Sequence, residues 1–327
     1  MRKFLGFVVA IAVAAAVVVL SRLAEPYAGF DRPVFVDVPR GASSRAIAAS
    51  LAGAGVVRNT WHFLAARALR PRLRLQAGEY RFSTPASPFT VLDRLARGDV
   101  VYHEIQIPEG YNIFEIAAVV ERTGIIGGDA FLAAARDSSL IRDIAPEAPS
   151  LEGYLFPDTY RITRQTTAED LCRLLTGRFR TAWGELRTSA PVHRTVTLAS
   201  LVEEETAVDD ERSTVASVYV NRLSRGMKLD CDPTTVYAAL LEGRWRGAIF
   251  KSDLERNHPY NTYLRAGLPP GPIANPGMAA LRAALAPAPT GFLYFVALPD
   301  GSGRHLFSSS IAVHTSAAGR YRRAQKR

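Results

Sequence analysis

Three consecutive carboxylates, Glu203, Glu204 and Glu205, close an apolar segment, Leu198-Ala-Ser-Leu-Val-Glu-Glu-Glu-Thr-Ala-Val208. The segment reads as a helix. At about 100° per residue, Leu198, Leu201 and Val202 form one face, and Glu205 falls in the middle of it. Glu203 and Glu204 point elsewhere. A carboxylate among apolar side chains loses hydration, which disfavours its charged form and raises its pKa. A carboxyl group that keeps its proton near neutral pH can serve as a general acid. The competing reading is a solvated acidic helix end whose apolar stripe stops before Glu205. A perturbed carboxylate nominates a site and does not by itself prove one.

The elements that must position this residue follow from the pattern around it. The helix 196–207 precedes a second one, Asp210–Ser224, with an acidic start and apolar positions at Val215, Val218, Tyr219 and Leu223. After Trp245 the chain is rich in Pro, Gly and Asn, as in Asn261-Thr-Tyr263 and Gly267-Leu-Pro-Pro-Gly271-Pro-Ile-Ala-Asn275-Pro-Gly277. Such composition predicts structured loops. A helix, Ala279–Leu285, and a buried strand, Phe292–Ala297, come next.

Upstream, the chain repeats itself. Val36-Asp-Val38-Pro-Arg-Gly41, Ile47-Ala48 and Gly55-Val-Val57 return in the same order as Ile105-Gln-Ile107-Pro-Glu-Gly110, Ile116-Ala117 and Gly124-Ile-Ile126. Each copy predicts a short strand, a Pro-x-Gly turn and an amphipathic helix closed by Gly. The first copy continues with a helix at Trp61–Leu69, a strand at Gly78–Phe82 and a helix at Phe89–Arg97. The unit resembles the LysM carbohydrate-binding motif, which implies affinity for glycan. A small α+β spacer is the alternative. Between the repeat and the last domain, Thr166–Arg180 predicts an amphipathic helix. Leu151-Glu-Gly-Tyr-Leu-Phe-Pro-Asp-Thr-Tyr160 predicts a structured aromatic loop that could wall a cleft or pack.

The chain has 327 residues, a formal net charge of +9 and 48% hydrophobic residues. That size holds two or three domains, and the charge suits an anionic partner. Zinc-finger spacing, RNP-like strands and a Lys-rich arm are all lacking, which argues against nucleic acid. Phe4 to Leu20 is unbroken apolar sequence behind Arg2 and Lys3. No good cleavage site follows it, so an uncleaved membrane anchor with a cytoplasmic tip is expected. The six histidines show no ligand spacing, so no metal and no cofactor are expected. Cys172 reads as core and Cys231 as part of a loop, both as free thiols. The expected architecture is α+β. It comprises a tip and transmembrane anchor at 1–25, a LysM-like module at 26–101 and a second strand–helix repeat with a helical connector at 102–190. A mixed α+β catalytic domain at 191–318 and a basic, disordered tail at 319–327 complete it.

A longer series of motifs carries a resemblance. Glu203-Glu-Glu-Thr206, Asn221-Arg222, Asp232-Pro-Thr234, Tyr260-Asn-Thr-Tyr263, Gly267-Leu-Pro-Pro-Gly271, Asn275-Pro-Gly277 and Tyr294-Phe-Val occur in this order. Together with Glu152-Gly-x-x-Phe156-Pro-Asp-Thr-Tyr160, they resemble the endolytic murein transglycosylases of the YceG-like family. The resemblance covers nearly the whole chain after the anchor. It implies lytic cleavage of the β-1,4 bond between N-acetylmuramic acid and N-acetylglucosamine, leaving a 1,6-anhydro end. The family's essential Glu stands directly before Thr and maps onto Glu205, the position picked by the helical wheel. Members often carry Lys where this chain has Glu204, whose added charge is expected to push Glu205 further up.

One carboxyl group suffices for that chemistry. It protonates the leaving oxygen and then takes the proton of the sugar's own C6 hydroxyl as that hydroxyl attacks C1. Asn261, Tyr263 and Asn275 are the right types to hold sugar hydroxyls and acetamides, and Asp232 and Thr234 to bond substrate or Glu205. Each could equally cap a turn. The expected partners are peptidoglycan strands, the membrane through Phe4–Leu20, and peptidoglycan synthases beside which such an enzyme would limit strand length. Two rivals remain. One is a water-using muramidase with Glu203 as base, though Glu203 and Glu205 do not share a helix face. The other is a membrane-anchored glycan-binding scaffold without catalysis.

Overall fold

Short strands alternate with helices over the first half of the chain, and helices dominate the second half. The computed structural model describes residues 2–206 and 208–324, with backbone only for residues 2–6, 9, 12 and 15. The chain divides into two compact units: residues 1–104 with 161–166, and residues 105–160 with 167–327.

The first unit begins with α1 (Arg2–Ala24), which covers the apolar Phe4–Leu20 run. Among the described residues no helix is long and apolar enough to cross a membrane, and several side chains of that run lie outside the description. Strand β1 (Val34–Val38), helices α2 (Ser44–Gly53) and α3 (Thr60–Leu69), strand β2 (Gly78–Phe82) and helix α4 (Pro88–Arg97) follow. Strands β1 and β2 pair antiparallel with Val36 opposite Tyr80. Inward positions of the strands meet Ile47, Leu51, Phe63, Leu92 and Leu95 in one core. Ser43, Asn59 and Ser87 cap the three helices through their side-chain oxygens, as short polar residues at helix starts do.

The same order of elements then recurs. Strand β3 (His103–Ile107) is followed by α5 (Ile113–Glu121), α6 (Gly128–Arg136), β4 (Asp158–Ile162) and α7 (Ala168–Glu185). Strand β3 pairs with β4 in a second two-stranded sheet. The repeat glycines match in backbone as well as in sequence. Gly41 and Gly110 have φ of +76° and +79°, and Gly55 and Gly124 have +71° and +65°. The left-handed region is open to Gly at little cost. The duplication therefore extends past the strand–helix segment evident in the sequence to five elements.

The rest of the second unit is mainly helical. It comprises α8 (Val192–Glu205), α9 (Arg212–Ser224), α10 (Asp232–Leu241), α11 (Lys251–Leu254) and α12 (Met278–Leu285). The antiparallel ribbon β5 (Tyr294–Ala297) and β6 (His305–Ser308) and the helix α13 (Ile311–Ala324) complete it. Its core joins Leu201, Val202, Val215, Tyr219, Tyr237, Tyr260 and Ile273. Three expectations need correction. Helix α9 starts two residues late, because Asp209–Glu211 forms a 3-10 turn first. Strand β5 is half-buried along its length, since one side of the ribbon faces a cleft. The basic end is helical as far as Ala324, and residues 325–327 lie outside the described residues.

Candidate active site

Glu205 is the last residue of α8, and Thr206 after it is extended. A carboxylate at that end meets the negative pole of the helix, which opposes its charge. The Cys231 thiol donates to Glu205 Oε1 at 3.4 Å. Tyr219, fully buried beneath it, brings its hydroxyl close to Glu205 and Cys231. Desolvation raises the pKa of Glu205. The Cys231 thiol pulls against that rise and the Asp232 charge adds to it, while Tyr219 and His305 oppose it more weakly. Burial holds the Cys231 thiol well above its usual range, so it remains a donor. The added push on Glu205 that the sequence pointed to in Glu204 is joined by Asp232: Glu204 and Glu205 repel each other, and the Asp232 charge raises Glu205 as well.

Glu205 opens onto a cavity of about 1030 Å³, lined also by Asp232, Tyr263, Tyr294, Phe295 and His305 and walled by α13 through His314, Tyr321 and Arg322. The Tyr263 hydroxyl donates to Asp232 Oδ1 at 2.6 Å. Arg222 lines the cavity as well, but its guanidinium is engaged. It donates to the carbonyls of Lys228, Leu229 and Leu293 and to Asp230. It also lies over the Tyr294 ring at 5.1 Å.

The other residues nominated from the sequence face inward to the protein. Asn261 is fully buried and donates to the carbonyls of Asp253, Leu254 and Arg256, while its oxygen accepts the Tyr263 N–H. It staples its loop. Asn275, also fully buried, accepts the Leu155 N–H at 2.8 Å and donates to Tyr111 O and Glu152 Oε1. Thr234 is buried, donates to Cys231 O and pairs with the Thr262 hydroxyl. Glu203 pairs with Arg212 at 3.3 Å and accepts the Gly277 N–H at 2.9 Å, tying α8 to the Asn-Pro-Gly loop. Exposed Glu204 is pushed up to about 8 by desolvation and by Glu115, Glu203 and Glu205; solvent screens much of that push. Only Glu205, Asp232 and Tyr263 of the nominated set share the cavity.

The aromatic loop after α6 supports this arrangement from below. Glu152 is fully buried, and burial pushes it to about 8 against the pull of the Ile113 N–H and the Tyr237 hydroxyl. Gly153 has φ of +86°, and a Cβ there would lie 2.4 Å from Pro272. Any side chain would therefore force the loop off the Gly267–Gly277 segment.

The family model described as the YceG-like family matches residues 36–320. The chain belongs to the YceG-like family. It is 32% identical over 309 residues to a Bacillus subtilis endolytic murein transglycosylase, covering 88% of this chain and 84% of that one. A Streptococcus pneumoniae protein of the same name is 30% identical over 318 residues, covering 85% of this chain and 57% of its own length. A solved yceG-like protein from Listeria monocytogenes superposes with a TM-score of 0.56 at 29% identity, over 87% of this chain and 99% of that one.

Within this YceG-like chain, sequence reasoning missed His305 and the α13 wall, and it had Tyr294 as part of a family motif without a place in the cleft. Nothing local in the sequence ties His305 to Glu205, which lies far away along the chain. The His305 ring sits 2.9 Å from Glu211 through Nδ1 and edge-on to Phe295.

Proposed function

We propose that this protein is an endolytic murein transglycosylase that cuts the β-1,4 bond between N-acetylmuramic acid and N-acetylglucosamine, with Glu205 as its proton-transfer residue. The observation that carries the proposal is a desolvated carboxyl on the wall of the 1030 Å³ cavity, in a chain of the YceG-like family. The protonated Glu205 gives its proton to the leaving glycosidic oxygen as the C1–O4 bond breaks. The carboxylate so formed accepts the C6 hydroxyl proton as O6 bonds to C1. Glu205 ends protonated, as it began, and the product carries a 1,6-anhydro ring. Attack from within the same sugar ring benefits from high effective molarity.

Asp232 and Tyr263 are the proposed substrate contacts within the cleft. Glu203, Thr234, Asn261 and Asn275 act in this reading through the loops they hold. The hydrolytic alternative loses Glu203 as its base, because that carboxylate is engaged with Arg212 and Gly277. Asp232, in the same cavity, is its remaining candidate.

The apolar Phe4–Leu20 run serves in this proposal as a single-pass anchor, which keeps the catalytic domain outside the cytoplasm beside nascent strands and their synthases. The first repeat unit is proposed to bind glycan as a LysM-like module. A groove of about 570 Å³ runs there between the β1–α2 turn, with Pro39, Gly41 and Ser44, and the segment Pro71–Leu75.

Substitution of Glu205 tests the assignment. Glu205→Gln keeps the shape of the side chain and cannot cycle a proton. Turnover should fall by ~10² to 10⁴-fold or more, with circular dichroism and melting temperature retained. Near-normal turnover by Glu205→Gln would move the acid elsewhere.

A further inference from the structure

A buried carboxylate bound to a histidine at the edge of the cleft has no part in the mechanism above. Glu211 is 7% exposed. It accepts the backbone N–H of His305 at 3.1 and 3.3 Å, and the ring Nδ1 lies 2.9 Å from its Oε2. Arg304 approaches its other oxygen at 3.6 Å. Phe295 meets the ring edge-on at 5.4 Å, and Phe307 lies beside both rings, 6.1 Å from His305 and 6.2 Å from Phe295. The imidazole is therefore fixed in orientation, with one nitrogen committed to Glu211. That ring lines the same cavity as Glu205.

The charges around Glu205 make this placement consequential. Asp232 faces it from α10 and opposes its ionisation, as does its position at the end of α8. Cys231 and Tyr219 offer neutral donors. Arg222 spends its donors on Asp230 and on carbonyls, and Arg322 donates to Ala318 O. His305, on β6, lines the cavity with Glu205 and opposes the rise of its pKa, and Glu211 is the charged group against the His305 ring; Tyr263 and, from α13, His314, Tyr321 and Arg322 line the same cavity.

We propose that His305, fixed by Glu211, is a positioning residue for Glu205: it supplies the positive partner for the carboxylate that forms when Glu205 passes its proton to the leaving oxygen. The proposal rests on the assignment of Glu205. His305 exchanges no proton in the cycle. Glu205 loses its proton to O4 and regains one from O6, and the imidazole offsets the charge present between those two events.

The test is the pH dependence of kcat and KM on purified sacculi for the full chain and for His305→Gln, Glu211→Gln and His305→Lys. Loss of a positive neighbour raises the pKa of Glu205, so the alkaline limb of the profile should move up by about one pH unit or more. In His305→Gln and Glu211→Gln, kcat should fall about tenfold while KM holds. His305→Lys restores a cation and should return the limb toward its original position. A uniform loss across pH, or a loss that follows melting temperature alone, makes the pair a structural staple and overturns the proposal. If the variants do not fold, the His305 ring resonance of the intact chain should shift as Glu205 titrates and stop doing so in Glu205→Gln; an unaffected resonance overturns it equally. Glu205→Gln separates the two claims. If it is inactive while the His305→Gln profile stays in place, only the role of His305 fails; if it is active, the assignment of Glu205 fails.

Discussion

Asn275 has the chemistry of a sugar-binding amide, yet its three side-chain hydrogen bonds all go to the protein. Replacing it by Ala should therefore damage the fold before it damages binding. The Tyr111 carbonyl keeps its bond from the Asn275 backbone N–H at 3.0 Å, so it is not orphaned. The Leu155 N–H and Glu152 Oε1 each lose the partner they had at 2.8 and 2.7 Å. The Leu155 N–H left without a partner costs about 1–3 kcal/mol, and the Glu152 carboxyl, which keeps the Ile113 N–H and the Tyr237 hydroxyl, loses about 1 kcal/mol more, so the sum is about 2–4 kcal/mol. That is a large share of the ~5–15 kcal/mol by which a domain is typically stable. The loss should also depend on pH. Glu152 is raised from 4.5 to about 8 in the folded chain, so its contribution to stability is fully present below pH 4.5 and is lost as pH rises through 8. Removing the Asn275 donor pushes Glu152 higher still and extends that decline to higher pH. Urea unfolding followed by fluorescence of Trp183 and Trp245, at pH 5 and pH 8, measures both effects. An Asn275→Ala chain of unchanged midpoint with a KM raised several-fold would refute this reasoning and return Asn275 to the substrate.

Two further outcomes are expected. Ser44→Trp fills the groove of the first unit and should weaken retention on sacculi while leaving the unit folded; unchanged retention would make the unit a spacer. Alkaline carbonate extraction should leave the chain in the membrane pellet through Phe4–Leu20, and its release into the supernatant would rule out the anchor.

The fold was legible wherever the signal was local. Strand β2 and the ends of α3 and α4 follow from alternation, short polar caps and Gly98. The repeat was visible through Pro and Gly, because left-handed turns admit few other residues. Its later half was hidden, since the Phe and Ala that α3 and α6 each bury are three residues apart in α3 (Phe63, Ala66) and four apart in α6 (Phe131, Ala135). In the site, the helical wheel isolated Glu205 because one period relates it to Leu201 and Val202. The wheel had no means of finding Asp232 as the charge acting on it. Asn261, Asn275 and Thr234 misled because a short amide or hydroxyl serves a loop and a ligand equally well. His305 and α13 reach the cleft only through tertiary packing of the β5–β6 ribbon, and no spacing along the chain encodes that.

The central claim is that bond cleavage is intramolecular, with Glu205 cycling a single proton and water taking no part. Mass spectrometry of glycan fragments released from purified sacculi in oxygen-18 water tests it directly. The account predicts 1,6-anhydromuramic ends without isotope incorporation, and their disappearance in Glu205→Gln. Reducing muramic ends labelled with oxygen-18 at C1 would contradict it and make the protein a hydrolase with Asp232 as the candidate base.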